Sequence, residues 1–388
     1  MESPGQLLEL IRAADGITRS DLAMRSGLAR STITHRIESL LDAGFVVEAG
    51  EARSTGGRPP TLLRFNSESG VVLVADLGAT HARFAVTTLD ATVLADVSMD
   101  LLIADGPEPV LRRTMATFDE LLATVGRTDA DVRGVGIGVP GPIDFAAGRP
   151  SDPPIMPGWH DYPIGARFTD RFGVPTLIDN DVNIMALGEF WLSDPRPTSM
   201  VVLKIGTGIG GGIIVDGQIL RGAKGAAGNV GHIQTDTDAV CNCGNTGCLE
   251  GVAGGAALAA ELRAAGYDTV NTRDVVALVI EGNADAIAVV REAGRRIGGM
   301  LAGVINLLNP ESIVINGDLV RAGQPLLAGL REAIYHRATA LTTNDLQVRA
   351  SHLGDGAGVI GGAVLVIEHV LDPAVVDAEL DGRVGAVA

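Results

Sequence analysis

Two stretches decide the fold of the larger part of this chain: Val71-Val72-Leu73-Val74-Ala75-Asp76-Leu77-Gly78-Ala79-Thr80, and Val201-Val202-Leu203-Lys204-Ile205-Gly206-Thr207-Gly208-Ile209-Gly210-Gly211-Gly212. Each is an apolar run of strand length that breaks at glycine. Further strands follow both, at Phe84-Ala85-Val86 and Val93-Leu94-Ala95 after the first and at Ile213-Ile214-Val215 after the second. The recurrence reads as an internally duplicated α/β fold over residues 66–388, with lobes at roughly 66–198 and 199–388. Two strand-to-glycine turns facing one cleft can present backbone N–H groups and hydroxyls to phosphates, because glycine permits close approach and positive φ.

Working outward, Asn180-Asp181-Val182-Asn183 follows the apolar run Val174–Ile178 and precedes a helical pattern carrying Ile184, Leu187 and Phe190. A carboxylate there stands at a strand end, where clefts open, and reads either as a ligand contact or as a helix cap. Further on, Cys241, Cys243 and Cys248 are the chain's only cysteines. With His232 they form a Cys3His set able to close a tetrahedral zinc site, which leaves no open position for a catalytic water. A disulfide is the rival reading; an odd count and the tight spacing oppose it.

Residues 1–65 have a different character. Leu7, Leu8, Leu10, Ile11 and Ala14 recur at helical spacing, with Gly16 beyond them. Thr18 and Asp21 form a capping-box start for a second helix that Gly27 closes. A third helix is expected over Arg30–Ala43, with Ile33, Ile37, Leu40 and Leu41 inward and Arg30, Ser31, Thr34, His35 and Glu38 outward. Ala29 is a poor cap for it. Phe45–Val47 and Thr61–Phe65 read as two strands around the tip Thr55-Gly56-Gly57-Arg58-Pro59-Pro60. The whole is a winged helix-turn-helix, in which Arg30, Ser31, Thr34 and His35 would meet the major groove and Arg58 the minor groove. A three-helix adaptor with a polar surface is the bland alternative.

Composition agrees with this division. The net charge of -17 belongs outside residues 1–65, which hold eight Arg and eight acidic residues; the remaining 22 basic and 39 acidic residues give -17. Between Arg19 and Arg36 four Arg face one Asp, a local +3 suited to phosphate contact. Met1–Leu10 lacks the basic flank and apolar run of a secretory signal, and the apolar stretch Val359–Leu371 is broken by Glu368 and too short for a bilayer. A cytoplasmic protein with no membrane partner is expected. A homodimer or higher oligomer is expected too, since winged helix-turn-helix proteins usually read paired half-sites.

At this point the residues resemble the ROK family of sugar-responsive repressors and sugar kinases, built on an actin-like ATPase fold. Asp76-Leu77-Gly78-Ala79-Thr80 is similar to the family's first phosphate loop, Gly138–Asp144 to its sugar-side loop, and Gly206–Gly212 to its second phosphate site. Ile315-Asn316-Gly317-Asp318 is similar to the strand end bordering adenosine. His232 followed by Cys-x-Cys-Gly-x-x-Gly-Cys-x-Glu matches at every zinc ligand. The resemblance implies that Asp76, Gly78, Thr80, Gly206, Thr207, Gly208 and Gly317 border any ATP and Mg, and that Asn180, Asp181, Asn229, His232 and Glu250 border a sugar or sugar phosphate. Asp181 would be the general base if the protein is a kinase. Asn229 departs from the glutamate usual three residues before the histidine, and Ala79 and His81 depart from the kinase form of the first loop. The expectation is therefore a repressor that binds operator DNA under sugar control, the alternative being an ATP-dependent hexose kinase carrying an extra DNA-binding domain.

Overall fold

The computed structural model describes residues 3–51 and 59–387, with side chains through residue 382. Arg58 and the wing tip fall outside the described residues.

The N-terminal unit is α1 (Pro4–Arg12), β1 (Ile17–Thr18), α2 (Arg19–Ser26), α3 (Arg30–Asp42), β2 (Val46–Glu51) and β3 (Thr61–Phe65). Its helix boundaries follow local chemistry. The Thr18 side chain accepts the Asp21 N–H while Asp21 reaches back to the Thr18 N–H, and Gly27 closes α2 at φ 70°. Ala29 makes no side-chain cap, as its methyl group requires. The strands form a small antiparallel sheet ordered β1-β3-β2. β1, two residues pairing with Leu62 and Leu63, adds to the two expected strands. The second strand begins one residue later than expected, because Phe45 is packed beneath it with Leu7, Leu8, Ile11, Leu22, Ile33, Ile37 and Leu40.

The remaining chain holds two five-stranded sheets of the same design. The first contains β4 (Val71–Leu77), β5 (His81–Thr88), β6 (Val93–Asp100), β7 (Val132–Val139) and β10 (Thr176–Asn180), ordered β10-β7-β4-β5-β6. The hairpin β8 (Ile143–Asp144) and β9 (Arg149–Pro150) lies between β7 and β10 in sequence. The second sheet contains β11 (Ser199–Ile205), β12 (Ile209–Val215), β13 (Gln218–Ile219), β14 (Ser312–Asn316) and β15 (Gln347–Ala350), ordered β13-β12-β11-β14-β15. In each, three consecutive antiparallel strands are followed by two that add in parallel beside the first. Parallel additions need crossovers, supplied by α4 (Pro107–Thr124) and α5 (Ile164–Phe172) in the first lobe. In the second they run through α7 (Glu250–Ala253), α8 (Gly255–Ala264), α9 (Thr272–Ile280), α10 (Ala284–Leu308), α11 (Gln324–Arg337) and α12 (Ala340–Thr343).

The helices that follow the last strand of each sheet, α6 (Asp181–Trp191) and α13 (Gly356–Val370), pack on one another. Glycine makes this possible: a Cβ on Gly361 would stand 1.6 Å from the Ile184 carbonyl oxygen, and one on Gly188 2.1 Å from that of Ala357. The same principle corrects the reading of Gly206–Gly212 as one phosphate loop. β12 begins at Ile209, and Gly210 and Gly212 lie inside it, where a Cβ would strike Val182 and Ala186 of α6 at 2.9 and 2.6 Å. Only Gly206, Thr207 and Gly208 form the turn; Gly210 and Gly212 serve helix-on-sheet packing.

The N-terminal unit does not have a core of its own. Leu7, Ile11, Ile33 and Leu63 belong to a hydrophobic cluster that continues through Val72, Val74, Val359, Val366 and Ile367 into α14 (Pro373–Val387) at Val376 and Leu380. Asp377 accepts the Gly5 N–H at 2.8 Å, and Glu368 of α13 pairs with Arg12 of α1 at 3.1 Å. No single helix among the described residues is long and apolar enough to cross a membrane.

Candidate functional site

On the N-terminal unit, α3 buries Ile33, Ile37 and Leu40 and exposes Arg30, Ser31, Thr34 and His35 on its opposite side. Those four residues are therefore brought together, as the helical period requires. Thr34 donates to the Arg30 carbonyl at 3.0 Å, which fixes its rotamer along the helix.

In the second lobe, β13 leads through Asn229 and the 3-10 turn Val230–His232 into the cysteine loop, and α7 closes it with Glu250. One potential ligand atom from each of His232, Cys241, Cys243 and Cys248 lies within 4.8 Å of the others. The His232 Nδ1 to Cys241 Sγ distance is 3.7 Å, and Cys243 Sγ to Cys248 Sγ is 3.7 Å, far beyond a disulfide bond. Two bridges organise the loop, Gln234 with Cys248 and Val240 with Thr246, and Gly244 and Gly247 take φ values of 90° and 76° to wrap it. Three soft sulfur donors and one imidazole suit zinc or a like metal ion.

Glu250 joins this loop to the second glycine turn. Its Oε2 accepts the Ile209 N–H at 2.9 Å, and its Oε1 lies 4.0 Å from Cys241 Sγ. Gly208 lets the carboxylate approach, since a Cβ there would come within 2.2 Å of Oε2 and displace it. Asn229 is exposed at the rim, and its carbonyl accepts the His232 N–H at 3.1 Å. Asn180 caps α6, accepting the Val182 N–H at 3.0 Å and donating to the Gly141 carbonyl at 2.9 Å. Capping is thus Asn180's part, which leaves the Asp181 carboxylate to point elsewhere.

Asp181 is 5 % exposed and binds Lys204 Nζ through Oδ2 at 2.5 Å. That ion pair crosses from the start of α6 to β11. Asp76, at the end of β4, has an Oδ1 that is buried without a hydrogen-bond partner among the described residues, and burial pushes its carboxyl up to about 7 against the opposing pull of Lys204. His81 is held below the usual imidazole range by burial and by the Lys204 charge. Thr80 and Thr207 are exposed at the two turns, whereas Gly78 is buried with its N–H on the His81 carbonyl at 2.8 Å. Gly317 takes φ 94° and presses on Ile205, where a Cβ would lie 2.5 Å from the carbonyl oxygen. Asp76, Asp181 and Lys204 therefore interact electrostatically where the first lobe meets the second.

Sequence reasoning missed two groups here. Asp179, 2 % exposed, holds Arg221 at 2.8 Å and accepts from Asn183 at 2.7 Å, while Arg221 stacks over Phe145 at 3.7 Å; this braces the cleft wall. Lys204 reads in the sequence as part of a strand. A cation inside Val-Val-Leu-Lys-Ile was the available signal, since a buried charge must find a partner, and the chain has only two lysines, Lys204 and Lys224, among 30 basic residues.

Comparison with known proteins agrees with both halves of this description. Residues 72–369 match the ROK family and residues 4–47 a winged helix-turn-helix DNA-binding family. The chain is 30 % identical over 370 residues to a xylose repressor of Caldicellulosiruptor bescii, covering 92 % of each. Among solved structures, a ROK family transcriptional regulator homologous to the E. coli MLC protein superposes with a TM-score of 0.81 at 28 % identity, covering 97 % of this chain and 98 % of the other. A ROK family glucokinase from Streptomyces griseus, solved with glucose and AMPPNP, gives a TM-score of 0.68 at 26 % identity over 76 % of this chain and 99 % of the other. On the family match and on full-length similarity across both units, the chain belongs to the ROK family and carries a winged helix-turn-helix at its N-terminus.

Proposed function

We propose that the chain is a sugar-responsive transcriptional repressor that binds operator DNA through α3 and the wing and releases it when a sugar enters the cleft. One observation carries this reading. One helix reaches from Asp76 to the DNA-binding unit: α13 meets Asp76 at Gly358, where a Cβ would stand 1.9 Å from Oδ2, and holds Arg12 through Glu368 about 15 Å further along its axis. A ligand that changes the packing of α6 on α13 acts through α13 on α14, against which α1 rests. The full-length similarity to a xylose repressor supports the same reading.

In this reading Asn180, Asp181, Asn229, His232 and Glu250 hold the sugar hydroxyls. His232, Cys241, Cys243 and Cys248 would hold zinc, whose chemistry there is architectural: it fixes the loop that carries His232 and Glu250. Any nucleotide would meet Asp76, Gly78, Thr80, Gly206, Thr207, Gly208 and Gly317. Arg30, Ser31, Thr34, His35 and Arg58 contact DNA, and a homodimer in the cytoplasm places two recognition helices on paired half-sites.

Capture of genomic fragments by the full-length protein, with elution by xylose, N-acetylglucosamine or glucose, tests this directly. Recovery of a palindromic site that one sugar elutes is the expected result. Fragments retained equally by an Arg30→Ala/His35→Ala variant would contradict it.

A further inference from the structure

We propose that Lys204 is a built-in cation that stands between the carboxyls of Asp181 and Asp76 in place of a divalent metal ion, so that this cleft recognises its ligand without transferring a phosphoryl group. The inference rests on the sugar-binding reading of the cleft but is tested apart from DNA binding.

Phosphoryl transfer places a divalent cation against the nucleotide's phosphates, held by carboxylates, and needs a carboxylate free to take the proton of the attacking hydroxyl. Asp76 of β4 and Asp181 of α6, both from the first lobe, are the carboxyls that interact with Lys204 of the second. Asp181 commits Oδ2 to Lys204 Nζ at 2.5 Å, in a pair whose side chains are 6 % and 21 % exposed. Lys204 stands on the central strand of its sheet, paired across to Gly210 on one side and Asn316 on the other, so its backbone is fixed in register. The surrounding charges all favour an ammonium there: Asp181, Asp76 and Asp318 attract it, and together they overcome the cost of burial and hold it well above the usual lysine range. On the far side, Gly358 of α13 allows close approach to Asp76, whose Oδ1 has no hydrogen-bond partner among the described residues.

The choice of side chain is informative. A chain that uses arginine almost everywhere has lysine here, and an ammonium is a compact point charge whereas a guanidinium is a planar fork. A compact charge can sit between two carboxyls as a metal ion does. With Lys204 in position the residues do not fit a divalent cation: one carboxylate oxygen is taken and the local positive charge is already supplied. Asp181 keeps its second oxygen for a sugar hydroxyl, so recognition survives.

The probe is Mn2+, followed by electron paramagnetic resonance on zinc-loaded, full-length protein, alone and with AMPPNP. Wild type is expected to leave the Mn2+ signal as it is in the same solution without protein, both with and without AMPPNP. Lys204→Met is expected to bind a single Mn2+ per chain, because the variant loses the positive charge that both Asp181 and Asp76 attract. Adding Asp76→Asn to that variant should abolish the gain. Lys204→Gln is the second variant, and circular dichroism checks that each folds. Stoichiometric Mn2+ binding by wild type that Asp76→Asn removes would overturn the proposal, as would wild-type transfer of phosphate from MgATP to any sugar. Folded Lys204 variants that lose thermal stability without gaining a metal site would reduce Lys204 to a brace between lobes and also overturn it. Sugar-induced DNA release, measured on the same samples, reports on the repressor reading separately.

Discussion

The two sides of the cleft differ in what they leave available. On the sugar side, Glu250, His232 and the cysteine loop form a connected scaffold, and Asn229 and one oxygen of Asp181 remain for a ligand. On the phosphate side, Lys204 is already bound to Asp181, burial raises the Asp76 carboxyl to about 7, and Gly210 and Gly212, beyond the second turn, are spent on packing α6. On the reading proposed above, the chain keeps the frame of a phosphoryl-transfer site with the charge arrangement of a binding site. Recognition and chemistry are separable within one fold, because they depend on different residues.

The largest effect that could break this contrast is on the sugar side. Cys243→Ser should lose stoichiometric zinc and lower the melting temperature by on the order of 10 °C, since structural zinc contributes several kcal/mol of folding energy. Metal analysis with calorimetry checks it; retention of zinc with unchanged melting would dismiss the structural role of the loop. Next in size, Arg30→Ala/His35→Ala on α3 should weaken operator binding about 10- to 100-fold while leaving sugar affinity as in wild type, because the altered face lies away from the cleft. Fluorescence anisotropy and calorimetry on the same samples would show whether the two activities separate in this way.

A smaller effect sharpens the phosphate side. Asp76 has its folded pKa raised to about 7 by burial, so between about pH 4 and pH 7 the folded protein keeps a proton that the unfolded chain has lost. Folding stability through this group therefore falls as pH rises across that window and stays reduced above it. Asp76→Asn, which cannot ionise, should gain stability relative to wild type between pH 5 and pH 8. Denaturant unfolding of both proteins at the two pH values checks this; a difference that does not change, or changes in the opposite sense, would show that Asp76 is ionised at both.

Much of this was legible in the sequence where the cause is local. The Thr18 and Asp21 capping box, Gly27, the poor cap at Ala29 and the inward face of α3 all depend on residues within a turn or two of each other. The duplication was legible from two apolar runs ending in glycine, and the strand orders agree with it. What was not legible depends on partners far apart in the chain. Gly210 and Gly212 look like loop glycines until α6 is laid across them. Lys204 looks like a strand residue until Asp181 is brought to it from the other lobe. The continuity of the core past residue 65 comes from α1 meeting α14, where Gly5 and Asp377 are 372 positions apart.

The central claim is that a sugar bound at Asp181 weakens DNA binding by at least tenfold, which requires about 1.4 kcal/mol of coupling between the two sites. A charged hydrogen bond to a sugar hydroxyl contributes roughly 1.5 to 3 kcal/mol, so Asp181→Ala should lower sugar affinity about 10- to 100-fold and leave DNA binding without sugar unchanged. Gel-shift titration of wild type and Asp181→Ala with the eluting sugar measures both at once. The account predicts that wild type leaves the operator and the variant stays on it at the same sugar concentration; equal release of the two proteins would contradict it.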